Sequence, residues 1–283
     1  MSKKRKRSVK ELNLIDDFLF QEVLSDVENG PTVAKLILSV IMEQEIEHVI
    51  LNTQNVVTTG DPDDHAIRLD VYIEERYGEQ GEKKRVFDVE VQNESGSELL
   101  SKRSRYYQAL IDSKYLPSGD NYGKVLPLWI IIITTKDLFG KNRQLYTFEN
   151  RCIEEPGLSL EDGARRIFLN TEGTIEYRED LAKLLDYIVE SQEKNAVNDT
   201  TKQLHSIVEK VRQKPELGVR YMKSWEREWR AKAEGKLEGR QEYNQLILQL
   251  SKDQRLEDIV KAASDTEYRD KLFIEYGIMS LEQ

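Results

Sequence analysis

Three residues whose types and spacing could do chemistry, Asp70, Glu90 and Gln92, lie in two neighbouring segments, IRLDVYI (67–73) and RVFDVEVQ (85–92). Both segments alternate apolar and polar residues, the period of a half-buried strand. Leu69, Val71 and Ile73 of the first and Phe87, Val89 and Val91 of the second are expected to face a core. Asp70, Tyr72 and Glu74, with Asp88, Glu90 and Gln92, then share the opposite face. The link Tyr77-Gly78-Glu79-Gln80-Gly81 can reverse the chain, because glycine tolerates the positive φ that hairpin turns require. A slip of one residue would exchange the two faces, so the register is strongly specified and sets Asp70 opposite Glu90. Like charges so placed repel by up to roughly 1 kcal/mol a pair. A divalent cation would turn that repulsion into coordination, and Mg²⁺ takes a few carboxylate oxygens plus water and phosphate. On spacing alone the preferred reading of the hairpin is an antiparallel pair with a solvated polar face, its charge diluted by Arg68 and Arg85.

The elements around the hairpin follow from periodicity. Leu14–Leu24 reads as a short amphipathic helix. A second helix follows Gly30, with Pro31 suited to its first turn and Val33, Leu36, Ile37, Val40 and Ile41 as its stripe. A strand is expected over His48–Asn52 and a polar loop over Thr58–Asp64. After the hairpin a third helix, about Ser97–Lys114, has an expected apolar face of Leu99, Leu100, Arg103, Tyr106, Tyr107, Leu110 and Ile111. Lys102, Arg105 and Gln108 lie on its other side. The run Leu126–Thr134 is apolar and β-branched, as in a central strand covered on both faces. Helix, strand, hairpin, helix, strand is the order of an α/β fold built on a mixed sheet. A short strand is expected at Arg166–Leu169. Beyond about Leu181 strand signals give way to helix formers with dense alternating charge. The Glu-Gly repeats at 234–239 suggest a hinge or exposed spacer, and Leu256–Ile278 a small helical pair.

Composition limits the function classes. In 283 residues the formal net charge is −10, which argues against a protein coated in basic patches but not against local basic grooves. No apolar run approaches the ~18 residues of a membrane span. The basic start, MSKKRKRSVK, lacks the apolar segment of a signal peptide and is expected to be a disordered, solvated tail over residues 1–11. One cysteine, Cys152, and three scattered histidines leave neither a disulfide nor a Cys- or His-based metal site, and suit a reducing cytoplasmic setting.

Taken together, Leu14-Ile-Asp-Asp-Phe-Leu-Phe20, Arg68-Leu-Asp-Val71, Val89-Glu-Val-Gln92 and Arg103-Ser-Arg-Tyr-Tyr107 resemble the PD-(D/E)XK nuclease superfamily. The likeness is nearer to its putative transposases, the recombination-promoting nucleases. Asp137-Leu-Phe-Gly140, Asp162-Gly-Ala164, Phe168-Leu-Asn170 and the Glu-Gly repeats extend the resemblance over roughly residues 12–240. It implies a restriction-endonuclease-like α/β core, αβββαβ, over residues 12–178, followed by a helical C-terminal region over 179–283. It also implies Asp70 as the acid of the second strand and Glu90 as that of the third. Gln92 stands where the wider superfamily has lysine, and Leu69 precedes Asp70 where the superfamily's name has proline.

The activity so implied is Mg²⁺- or Mn²⁺-dependent endonuclease cleavage of DNA in recombination or transposition. Asp70, Glu90 and the carbonyl of Val91 would bind the metal, and Gln92 would position the attacking water. The cation that lysine would supply is expected from Lys102 or Arg105, which also head the candidate DNA contacts together with Lys83, Lys84 and Arg85. Arg103 is expected to support the site, and Tyr106 and Tyr107 to pack in the core. The helical C-terminal region is the candidate surface for a homodimer. A different class stays open: a nuclease fold whose chemistry has faded, kept as a DNA-binding or assembly module.

Overall fold

The computed structural model describes residues 7–57, 67–78, 81–93, 99–116, 118–175 and 177–278; the side chains of 53–57, 67–70 and 228 lie outside it. The polar loop expected at 58–64 and the expected start of the third helix at 97 also fall outside the described residues.

Helices α1 (Asp17–Leu24) and α2 (Gly30–Met42) come first. Pro31 occupies the first turn of α2, where its missing N–H costs nothing, and Glu43 closes the helix with φ 56°. The chain then forms strands β1 (His48–Val57), β2 (Ile67–Tyr77) and β3 (Lys83–Gln92), helix α3 (Leu100–Tyr115), and strands β4 (Leu128–Thr134), β5 (Leu145–Phe148) and β6 (Ala164–Asn170). Helices α4 (Glu179–Val189), α5 (Asp199–Arg212), α6 (Pro215–Lys252), α7 (Leu256–Ser264) and α8 (Thr266–Glu275) complete it. The six strands make one sheet in the order β1-β2-β3-β4-β6-β5. β1, β2 and β3 form an antiparallel meander, β4 is parallel to β3 and to β6, and β5 returns antiparallel at the edge. The β2–β3 turn is closed by the Gly81 N–H donating to the Gly78 carbonyl at 3.0 Å, both glycines having positive φ (95° and 66°).

Continuous apolar sequence places β4 at the centre, since both its faces must be covered. Leu128, Ile130 and Ile132 join Tyr72, Val86 and Phe168 in a cluster packed under Leu100, Tyr107, Leu110 and Ile111 of α3. This corrects the expectation of a solvated polar face on the hairpin. By strand alternation, the face that carries Tyr72 and Val86 also carries Asp88 and Glu90, and α3 covers it. Sequence period alone reports where polar residues sit on a strand, not whether a helix later covers them.

The α3 face also differs in detail. Ser104 is buried on it in place of Leu99 and Tyr106, which are exposed. The stripe actually used runs 100, 104, 107, 110 and 111, which leaves Leu99 and Tyr106 in solvent.

The helical part divides. Met1–Val219 is one compact unit and Arg220–Gln283 another. Thus α4 and α5 lie within the first unit, whereas the expected boundary at 178 and 179 falls between β6 and α4. Their buried faces, Leu181, Leu184, Leu185 and Ile188 with Leu204, Ile207, Val208 and Val211, explain why: such stripes must be covered. Arg212 fixes the arrangement, its Nη1 donating to the Ser191 carbonyl at 2.9 Å and its Nη2 to the Leu12 carbonyl. Of the tail expected over 1–11, residues 1–6 lie outside the described residues. Arg7 pairs with Asp16, and Val9–Glu11 form a 3₁₀ turn.

In the second unit Leu246 and Leu250 of α6 pack with Ala262 of α7 and Leu272 and Phe273 of α8. The expected helical pair is therefore present. Gly235 and Gly239 sit within the continuous α6 in open space, where an added Cβ would meet nothing within 4 Å. Glycine inside a helix costs about 1 kcal/mol relative to alanine. Gly235→Ala with Gly239→Ala is accordingly expected to raise the stability of this helix by about 1–2 kcal/mol, read as a higher melting midpoint by circular dichroism. An unchanged or lower midpoint would contradict a helix that runs unbroken through both positions. Among the described residues no helix is long and apolar enough to cross a membrane.

Candidate active site

The β2–β3 ladder pairs Tyr72 with Asp88 and Val71 with Val89. The ladder ends there: β2 runs on beside β1 and β3 beside β4, so Asp70 and Glu90 are the first residues of their strands past the last pair. The Asp70 side chain is outside the described residues. Gln92 ends β3 half-buried, paired in register with Thr134 of β4. Val91 turns its side chain to the other face, where it is buried opposite Ile133.

Glu90 is only 2% exposed. A carboxylate so deeply buried needs partners, and α3 supplies two. Arg103 Nη2 donates to Glu90 Oε2 at 2.6 Å, and Tyr107, one turn further on, hydrogen-bonds the same carboxylate. The Arg103 guanidinium also lies 5.3 Å from the centre of the Tyr107 ring. Burial nevertheless outweighs these partners: loss of water pushes the Glu90 carboxyl above its ordinary range, and the negative charge of Asp17 adds to the effect. The anionic form of Glu90 is therefore stabilised less here than in water, even with Arg103 bound.

Asp17 belongs to the first turn of α1, and its neighbour Asp16 shows how that turn is held. Asp16 accepts from the Asn13 backbone N–H at 2.8 Å and from Nδ2 of Asn93, the residue after Gln92, at 3.3 Å. The start of α1 is thus tied to the end of β3. Asp88, fully buried two residues before Glu90, adds another carboxyl to the same face of the strand.

Of the residues expected at the site, the structure brings Arg103 to Glu90. Lys102 and Arg105, expected to supply the missing cation, are exposed on α3. Lys83 and Lys84 are exposed at the far end of β3, where Lys84 pairs with Glu74. Arg85 forms a buried ion pair with Glu75. Tyr107 is buried as expected, but Tyr106 is not. Sequence reading missed Asp17, separated from the hairpin by some fifty residues of chain; the signal was the paired Asp16-Asp17 at the head of the first helix. It noted Asp88 on the polar face without giving it a role.

The donor set is oxygen-only, which suits a hard divalent cation rather than zinc or copper. An under-compensated, buried Glu90 carboxylate is the feature such a cation would complete. Among the described residues no three of His, Cys, Asp or Glu are placed to hold an ion, and that set does not include the Asp70 side chain.

A six-stranded mixed sheet, entered by a helix and a meander and with α3 leading into the parallel β4, defines the restriction-endonuclease-like PD-(D/E)XK class of α/β fold. Residues 14–236 match a family model described as PD-(D/E)XK nuclease family transposase, and the chain belongs to that family. No curated protein and no solved structure matches it. Membership places the chain among nucleases associated with transposition, with DNA as the substrate the family implies and divalent metal ions as the cofactor such nucleases generally use.

Proposed function

We propose that the chain is a Mg²⁺- or Mn²⁺-dependent DNA endonuclease of the recombination-promoting branch, with Asp70, Glu90 and the Val91 carbonyl holding the metal. The observation that carries this reading is Glu90: a buried, under-compensated carboxylate on β3, one residue past the Val71–Val89 pair that ends the ladder with β2. A bound divalent cation would lower the pKa of a water and offset charge growing on the scissile phosphate.

The rest of the work falls to the chain. Gln92, neutral where lysine is usual, orients the attacking water by hydrogen bonding and neither donates nor takes its proton. Arg103 supplies the fixed positive charge that lysine would otherwise bring. It holds Glu90 in one rotamer, and Tyr107 braces it from below. Asp17 is close enough to influence Glu90 electrostatically. Lys102 and Arg105, exposed on the same helix, are free to meet the DNA backbone.

A second reading is favoured by one observation: Glu90 is already engaged by Arg103, and lysine is absent, as in a module whose chemistry has faded. Conversion of supercoiled plasmid separates the two. Nicked or linear DNA is expected with Mg²⁺ or Mn²⁺ and none with EDTA. Cleavage that persists in EDTA would contradict the metal site, and no cleavage under either condition would leave the second reading standing.

A further inference from the structure

Helix α6 carries Arg220, Lys223, Arg227 and Arg230 at intervals of three, four and three residues, the spacing that stacks side chains on one helix face. All four are exposed. Lys223, Arg227 and Arg230, with Glu226, line a shallow concave surface. Lys223, Arg227 and Arg230 form no ion pair among the described residues. Glu226 shares this face, three residues after Lys223 and four before Arg230, yet it pairs with neither of them among the described residues. This ladder of cations lies in a chain whose net charge is −10.

We propose that this face of α6 is a DNA-contacting surface that grips the phosphate backbone without reading sequence. At a rise of about 1.5 Å per residue the four cations span about 15 Å, a length over which duplex DNA presents several phosphates. Three of the four are arginines, whose planar fork matches a phosphate in two hydrogen bonds. Two other occupants fit less well. The exposed apolar residues beside the ladder, Met222 and Trp229, are separated by Glu226, which opposes insertion into a lipid surface. A second copy of the helix would bring Lys223 and Arg230 against their own kind. The proposal relies on the nuclease reading only for the identity of the polyanion.

The test is binding of the full chain to a short fluorescent DNA duplex in EDTA, followed by anisotropy between about 50 and 200 mM salt. Each phosphate contact adds about 0.9 to the slope of log affinity against log salt. The triple variant Lys223→Gln, Arg227→Gln, Arg230→Gln is expected to flatten that slope by about 2 to 3 and to lose about two orders of magnitude in affinity near 0.1 M salt. The charge-keeping variant Arg227→Lys, Arg230→Lys is expected to retain the slope.

Unchanged binding by the triple variant would overturn the proposal, as would loss of slope in the lysine variant. So would a triple variant that binds DNA normally but no longer binds phosphatidylserine vesicles that the wild type binds. Plasmid cleavage by Glu90→Gln reports on the active site alone, so failure there leaves the α6 measurement interpretable, and failure of α6 leaves the nuclease reading intact.

Discussion

Replacing Glu90 by glutamine is expected to lower DNA cleavage by about two to four orders of magnitude while leaving the protein folded and, without metal, at least as stable at neutral pH. The first part follows from charge. The amide keeps the shape and one oxygen of the side chain but loses the anion that would hold a cation against the phosphate. The second follows from burial. Glu90 is 2% exposed, and loss of water raises its carboxyl above the ordinary 4.5 despite Arg103 and Tyr107. The metal-free native state therefore holds its proton to a higher pH than the unfolded chain does. Where the native state binds more protons, stability falls as pH rises, here from about 4.5 up through the raised native value. Glutamine, which does not titrate, removes that slope. Melting midpoints of both proteins in EDTA across this range check it: the wild type should lose stability relative to Glu90→Gln as pH rises. A variant that cleaves normally, or one that is unfolded at neutral pH, would contradict the role given to Glu90.

Arg103→Ala carries the other large effect. It leaves Glu90 buried without its ion-pair partner. Breaking a fully buried pair costs about 3–5 kcal/mol, and because Arg103 is itself 39% exposed a smaller loss, about 2–3 kcal/mol, is expected. The same change removes the only guanidinium that the described residues bring to Glu90, so cleavage should fall as well. Chemical denaturation measures the first effect, and the double variant Arg103→Ala, Glu90→Gln separates it from ordinary truncation. With no buried charge left to strand, the double variant should regain most of the lost stability, a coupling that contacting residues show and distant ones do not. If the losses simply add, Glu90 and Arg103 are not acting as a pair.

The hairpin, its register and the central strand could all be read from the sequence, because a period of two and a pair of turn glycines constrain the backbone locally. That register is the ground on which the sequence reading sets Asp70 opposite Glu90. What covers them could not be read from it. The residues that meet Glu90 are Arg103 and Tyr107 of α3 and Asp17 of α1, and neither helix announces which of its faces will close over the sheet. Arg103, a cation interrupting an apolar stripe, is expected from sequence to support the site, whereas Lys102 and Arg105 on the polar side are expected to bring the missing cation. The structure brings Arg103 rather than Lys102 or Arg105 to the Glu90 carboxylate. The edge strand β5, four residues long with half its side chains exposed, offers no alternation to detect. The division at 219 and 220 was hidden for a different reason. α4, α5 and α6 all read as helix with charged faces, and the packing of Leu181–Ile188 and Leu204–Val211 assigns the first two to the sheet-bearing unit.

The central claim is that Asp70 and Glu90 jointly hold a divalent ion, and Mn²⁺ binding followed by electron paramagnetic resonance tests it without depending on turnover. The wild-type chain is expected to take up Mn²⁺, and Asp70→Asn and Glu90→Gln each to bind it at least about tenfold more weakly, as loss of one charged ligand from such a site requires. Equal Mn²⁺ binding by all three proteins would contradict the account.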